Sequence, residues 1–226
     1  VSKIIAFSLW GDNPKYCVGA VKNAQLARLY YPDWIARFYV ANTTPQSLID
    51  QLQYHKAEVV VKNAESGDWH GMFWRFEPAS DDEVDVFISR DCDSRLSERE
   101  AIAVNEWLAS PKLVHSMADH PYHFDPRLGL MGGMFGMKRH ACPQMTSLIT
   151  QFRHKYPVAW QCDQDFLKQY IYPLVAHKIY ASSDIHAGCH RFASARLNGS
   201  FIGEIIGPND EVLHPEHREM RDAVSR

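Results

Sequence analysis

A chain of 226 residues with 46% hydrophobic and 23% charged residues suits one large α/β domain, or two small ones, with a sizeable buried core. Its net charge of −3, without a basic block, gives no reason to expect nucleic acid or an anionic membrane surface as a partner. No apolar run approaches the roughly 20 residues that span a bilayer, no signal-peptide pattern is seen, and five scattered cysteines lack a CxxC pair. A reducing, cytoplasmic setting is expected.

Lys3–Ser8 is a short apolar run that predicts a first strand. The turn-rich Leu9-Trp10-Gly11-Asp12-Asn13-Pro14 follows, then a helix over Tyr16–Tyr31 ended by Pro32. A strand, glycine-containing loop and helix form a common nucleotide seat in α/β sheets, which makes Trp10 a candidate donor contact. There is no GxGxxG and no P-loop. Ala36–Ala41 predicts a second strand, Thr44-Pro45 a capped helix through His55 with Leu48, Ile49 and Leu52 inward, and Glu58–Lys62 a third strand. This β-α-β-α-β alternation implies a mostly parallel sheet with right-handed crossovers. Gly71–Pro78 is aromatic, and its Arg75 is either a surface charge or a guanidinium suited to a phosphate or an acidic cluster.

Val84–Leu96 is the stretch around which the chain is organised. The apolar Val84, Val86, Phe87 and Ile88 read as a buried strand, and Asp91 and Asp93 follow just past its end. Two carboxylates so placed can converge on one hard cation, Mn²⁺ or Mg²⁺, which a diphosphate substrate would need. Arg90 and Arg75 are candidates to offset remaining phosphate charge. Ser97–Glu100 is a capping box opening a helix through Ala109.

Lys112–Met117 predicts another strand, followed by Asp119, His120 and His123. With His115 these hint at zinc, but the spacing is not HExxH, Pro121 disfavours a helix, and no cysteine pair completes a site. An acceptor-side role fits them better. Gly129–Gly136 either lets backbone approach a ligand or packs as a flexible segment. Gln144–Lys155 predicts a helix with Met145, Leu148, Ile149 and Phe152 on one face. Asp163-Gln164-Asp165 opens the next helix, where its dipole favours negative charge. His186 and His190 flank Gly188, Phe201–Ile206 reads as a last short strand, and His214–Arg226 as a polar surface helix or tail. No repeat, low-complexity tract or linker is visible, so a single domain is expected, with a nucleotide-binding half over 1–110, an acceptor half over 111–206 and a tail over 207–226.

Together these pieces resemble glycosyltransferases of the A-type fold, from the Lys3 strand to about Gly203. The marks are Asp91-Cys92-Asp93, Asp163-Gln164-Asp165 and the late histidine in His186–His190. The second mark looks like the glycogenin-like retaining transferases, although the usual H-x-x-G-x-x-K-P-W ending is missing. Trp74-Arg75-Phe76 and Arg90–Arg95 also resemble bacterial and viral glycosyltransferase-like proteins with WRF and RDxDSR segments. The resemblance implies a retaining, metal-dependent transfer of sugar from a nucleoside-diphosphate donor, UDP favoured, to a hydroxyl of a glycan, protein or lipid. It implies Asp91, Asp93 and His186 or His190 at the metal, Asp91 at the ribose, and Asp163 or Asp165 beside the sugar. A histidine ligand would tip the preference toward Mn²⁺. A metal-dependent nucleotide-sugar hydrolase, a nucleotidyltransferase and a non-catalytic nucleotide-binding domain remain alternatives, the nucleotidyltransferase weakened by the missing Gly-rich, Lys-containing signature after the first strand.

Overall fold

The computed structural model describes residues 1–63, 69–157 and 159–224. The strands are β1 (Lys3–Leu9), β2 (Ile35–Ala41), β3 (Glu58–Lys62), β4 (Val86–Arg90), β5 (Val114–Ala118), β6 (Phe135–Lys138) and β7 (Ile179–Ser183). They form one sheet in the order β3-β2-β1-β4-β6-β5-β7. All neighbours run parallel except β6, which is antiparallel to both β4 and β5. The apolar runs alternate into two cores, one on each face, as expected for a sheet covered on both sides. Ile5, Phe7, Phe38 and Ile88 lie on the face covered by α1 (Pro14–Tyr30), α2 (Gln46–Tyr54) and α3 (Glu98–Ala109), whose Trp107 joins the same core. Ile4, Ala6, Phe87 and Phe135 lie on the other, against a 3₁₀ segment at Trp69–Ser80 and α4 (Met145–Lys155).

The expected β-α-β-α-β opening is present, and Leu48 and Leu52 are the buried face of α2. Asn13 caps α1, its side chain accepting from the Lys15 amide at 3.0 Å. Pro45, rather than Thr44, stands at the start of α2, with no side-chain cap. At α3 half of the capping box forms: Ser97 Oγ accepts from the Glu100 amide at 3.3 Å. The Glu100 carboxylate instead turns into the core to Arg90.

Three expectations require correction. The glycine-rich stretch ends in β6, a strand the pattern did not show, because its four residues are too few to display alternation. Phe201–Ile206 is not a strand; Gly203 turns the chain at φ +83°, leaving an isolated bridge from Ile206 to Val212. The helix after Asp163 is broken into α5 (Cys162–Phe166), a π turn at Leu167–Ile171 and α6 (Tyr172–Val175). Pro173 lacks the N–H that a continuous ladder needs there. The tail forms α7 (Pro215–Val224), and its last two residues lie outside the described ones. No described helix is long and apolar enough to cross a membrane.

Candidate active site

The parallel strands all end at one edge, and β4 delivers Asp91-Cys92-Asp93 there as a turn. The turn is built by α1. Asn23, buried in the middle of that helix, donates to the carbonyls of Cys92 (3.4 Å) and Ser94 (2.8 Å) and accepts from the Leu96 amide at 3.0 Å. Gly19 lets the helix approach this closely, since a Cβ there would lie 1.9 Å from the Cys92 carbonyl oxygen. A polar residue and a glycine on the otherwise alanine-lined inner face of this helix were the available signal for both.

Arg75 links the two acidic motifs. The 3₁₀ segment buries it, and its amide donates to Ser8 Oγ at 3.0 Å. One Nη donates to Asp91 and the other to Asp163 Oδ2 at 2.9 Å. Its Nε is buried without a hydrogen-bond partner among the described residues. Burial raises the Asp163 carboxyl above its ordinary range, against the pull of Arg75. Asp165, two residues on, lies on the opposite side of the helix and is exposed, so the two acids of this motif diverge.

The backbone at Gly132-Gly133 closes over the acids. A Cβ on Gly133 would fall 1.8 Å from Asp91 Oδ2, and one on Gly132 within 2.6–2.8 Å of Arg75, Gln164 and Asp163. Ser89 Oγ holds this backbone by donating to the Gly132 carbonyl at 2.6 Å. The close approach that glycine allows is used here on the acids themselves.

Asp93 meets Lys15 Nζ at 2.8 Å, in the first turn of α1. Burial and the nearby Asp91 charge raise the Asp93 carboxyl, while Lys15 acts in the opposite direction. Lys15 was not foreseen, because a lysine near a helix start reads as a surface charge. Trp10 stands beside this edge with its ring edge-on to Trp69 and Trp74, at 6.5 and 6.3 Å. It rests on Gly71, where a Cβ would be 2.6 Å from the indole.

Other expected residues stand elsewhere. Arg90 turns away from the edge into a fully buried pair with Glu100 at 3.1 Å, and Tyr31 donates to the same carboxylate at 3.0 Å. His186 Nε2 lies 3.1 Å from the His123 carbonyl. His190 stacks flat on Tyr180 at 3.9 Å. Both belong to the end of β7, three sheet positions from β4, or about 14 Å at ~4.8 Å per strand. Neither joins Asp91 and Asp93 in a ligand cluster among the described residues. Asp119 is enclosed by Arg99 at 2.9 and 3.0 Å and Arg196 at 2.6 Å, which ties the chain after β7 to α3. His115 is buried against Trp107 and meets Ser182 Oγ at 2.9 Å.

A divalent cation implied by this fold class would find at Asp91 and Asp93 two carboxylates on one turn, a hard-oxygen donor set that suits it. Both already sit against cationic groups, Arg75 and Lys15. The preference for Mn²⁺ over Mg²⁺ rests on a histidine joining these two acids.

The sheet order, and acids at the carboxyl ends of its parallel strands, define the class: an A-type glycosyltransferase-like α/β fold. No family model matches the sequence, and no curated protein is similar to it by sequence. Solved structures do match the fold. One is LgtC as an active-site mutant, at 12% identity over 80% of this chain and 72% of that chain, with a TM-score of 0.51. Another is 4-diphosphocytidyl-2C-methyl-D-erythritol synthase from Anaerococcus prevotii, at 7% identity over 100% and 96%, with a TM-score of 0.54. A third is a glycosyltransferase involved in glycosylation of the major capsid of PBCV-1, at 15% identity over 80% and 81%, with a TM-score of 0.49. At such identities the likeness speaks to fold alone. It includes both glycosyl- and nucleotidyltransferases.

Proposed function

We propose that this protein is a metal-dependent glycosyltransferase that moves a sugar from a nucleoside diphosphate, UDP being the first to test, to a hydroxyl acceptor with retention. The observation that carries this reading is the row Asp91–Arg75–Asp163, roofed by Gly132-Gly133 backbone at the carboxyl edge of the sheet. Breaking the bond from anomeric carbon to phosphate oxygen puts positive charge on the sugar and negative charge on the diphosphate. The row offers groups for both ends. Asp91 and Asp93 would hold the divalent ion, which supplies Lewis-acid neutralisation of the diphosphate when bound. Arg75 adds a fixed cation beside Asp91, on the side proposed for the diphosphate. Asp163, buried and held by Arg75 at 2.9 Å, would serve as a fixed carboxylate that stabilises the developing sugar cation. Retention follows the resemblance carried by Asp163-Gln164-Asp165, whereas an inverting enzyme would use one of these acids as the base that deprotonates the acceptor.

A nucleotidyltransferase is the second reading, favoured by the fold match that covers the whole chain. Against it, the loop after β1 has one glycine and no lysine-bearing glycine-rich turn. A thermal-shift panel of UDP, GDP, CDP and ADP, each with and without Mn²⁺ or Mg²⁺, tests the proposal. Ligand at a hundredfold excess over Kd stabilises the native state by about 2.7 kcal/mol. A metal-dependent shift with one nucleotide, followed by sugar transfer from the matching donor, is expected. No shift with any of them, or nucleotide-sugar formation from a sugar phosphate, overturns it.

A further inference from the structure

Away from the acidic turn, the described residues gather one other set of metal-ligating side chains, at the start of α7. His214, Glu216 and His217 each offer one ligand atom, and these atoms lie within 4.8 Å of one another. His214 Nδ1 is 3.1 Å from Glu216 Oε1, and the two imidazoles stack at 4.9 Å with 22° between their planes. Ligand atoms about 2.0–2.1 Å from a tetrahedral ion are about 3.3 Å apart. Small side-chain rotations therefore close the set on one ion.

The frame that carries these residues is already fixed to the body of the protein. His120 Nε2 meets the His217 carbonyl at 2.8 Å, and the Tyr122 ring stands edge-on to the His217 ring at 5.0 Å. One residue on, Arg218 forks onto Glu204 at 2.5 and 2.7 Å. Such outer contacts orient a ligand before the ion arrives. Two imidazoles and one carboxylate suit Zn²⁺ and its transition-metal neighbours, and poorly suit Mg²⁺ or Ca²⁺, which take oxygen.

We propose that His214, Glu216 and His217 form a second metal site, selective for a Zn²⁺-like ion and separate from Asp91–Asp93. Three protein ligands leave a fourth position to water, and the bound ion fastens the first turn of α7 beside the loop after β5. The site does not depend on the transferase reading.

Titrating the metal-free full chain with Zn²⁺ by calorimetry, and with Co²⁺ by visible absorption, tests this. The expected result is one equivalent that His214→Ala or His217→Ala weakens by at least about tenfold, and Glu216→Gln less. An Asp91→Asn, Asp93→Asn double variant should bind this equivalent as the parent does. Circular dichroism checks that each variant is folded, and Glu216→Gln, which keeps side-chain size, covers the case in which a histidine variant is not. Unchanged Zn²⁺ binding in a folded His214→Ala, His217→Ala double variant overturns the proposal. So does loss of the equivalent in the Asp91, Asp93 variant.

Discussion

At the scale of single residues, Arg75 does two jobs with one side chain, since its two Nη atoms hold acids from motifs 72 residues apart in sequence. Asp163→Asn keeps the shape and removes the charge. We expect metal-dependent donor binding to survive and turnover to fall by about a hundredfold, the scale of losing one preorganised electrostatic group. Separate kcat and KM measurements check it. Asp93→Ala should instead abolish the metal-dependent nucleotide shift, and normal binding in that variant would sink the assignment. Gly133→Ala is expected to act like a site mutation although it carries no chemistry. Its methyl would displace the Asp91 carboxylate, and the same thermal shift should shrink or vanish while the fold remains. Asp91 and Asp93 could be singled out because carboxylates two apart past an apolar run can converge on one cation, although the same spacing also serves simply to end a strand and solvate a turn. The arginine that unites Asp91 with Asp163 was not assignable, because nothing local says which way a buried guanidinium points. Arg90, one residue before Asp91, shows the same ambiguity resolved toward the core.

At the scale of elements, the first three strands and two helices were readable from apolar runs, a proline and turn residues, each a local signal. β6 and β7 depend on partners distant in sequence, so four- and five-residue strands inside mixed stretches gave no pattern of their own. A capping box implies two reciprocal bonds, but at α3 its glutamate is taken by a tertiary contact with Arg90. Glu100→Ala would leave Arg90 buried and unpaired, and a loss of about 3–5 kcal/mol is expected, measurable by urea unfolding. The loop after β5 makes a pH prediction. Burial, followed by the neighbouring histidines 120, 186 and 217, pushes His123 down to about 3. In the unfolded chain it titrates near 6.5. Because the folded value is the lower one, its contribution to stability is complete above about pH 6.5 and is lost as pH falls toward 3. The loss is on the order of a few kcal/mol. Urea midpoints at pH 7, 5 and 4 should fall less steeply for His123→Asn than for the parent.

At the scale of the whole molecule, the expected nucleotide and acceptor halves meet within a single sheet. One core takes Ile4, Ala6 and Phe87 from the first and Val114, Phe135, Phe152 and Phe166 from the second. A fragment of residues 1–110 would leave the β4 edge unpaired and that face bare. It is expected to aggregate or stay unfolded by circular dichroism, whereas a folded fragment would mean the halves are separable. The backward run of β6 also limits how the chain can vary in length. Its neighbours end at the site, but β6 starts there, so Gly132-Gly133 reaches the acids just before a strand whose register is fixed to β4 by Ser89 opposite Phe135. Adding or deleting one residue between Gly133 and Lys138 would invert which side chains face each core. Homologous chains should therefore differ in length before Gly129 or after β6, and keep this short interval constant.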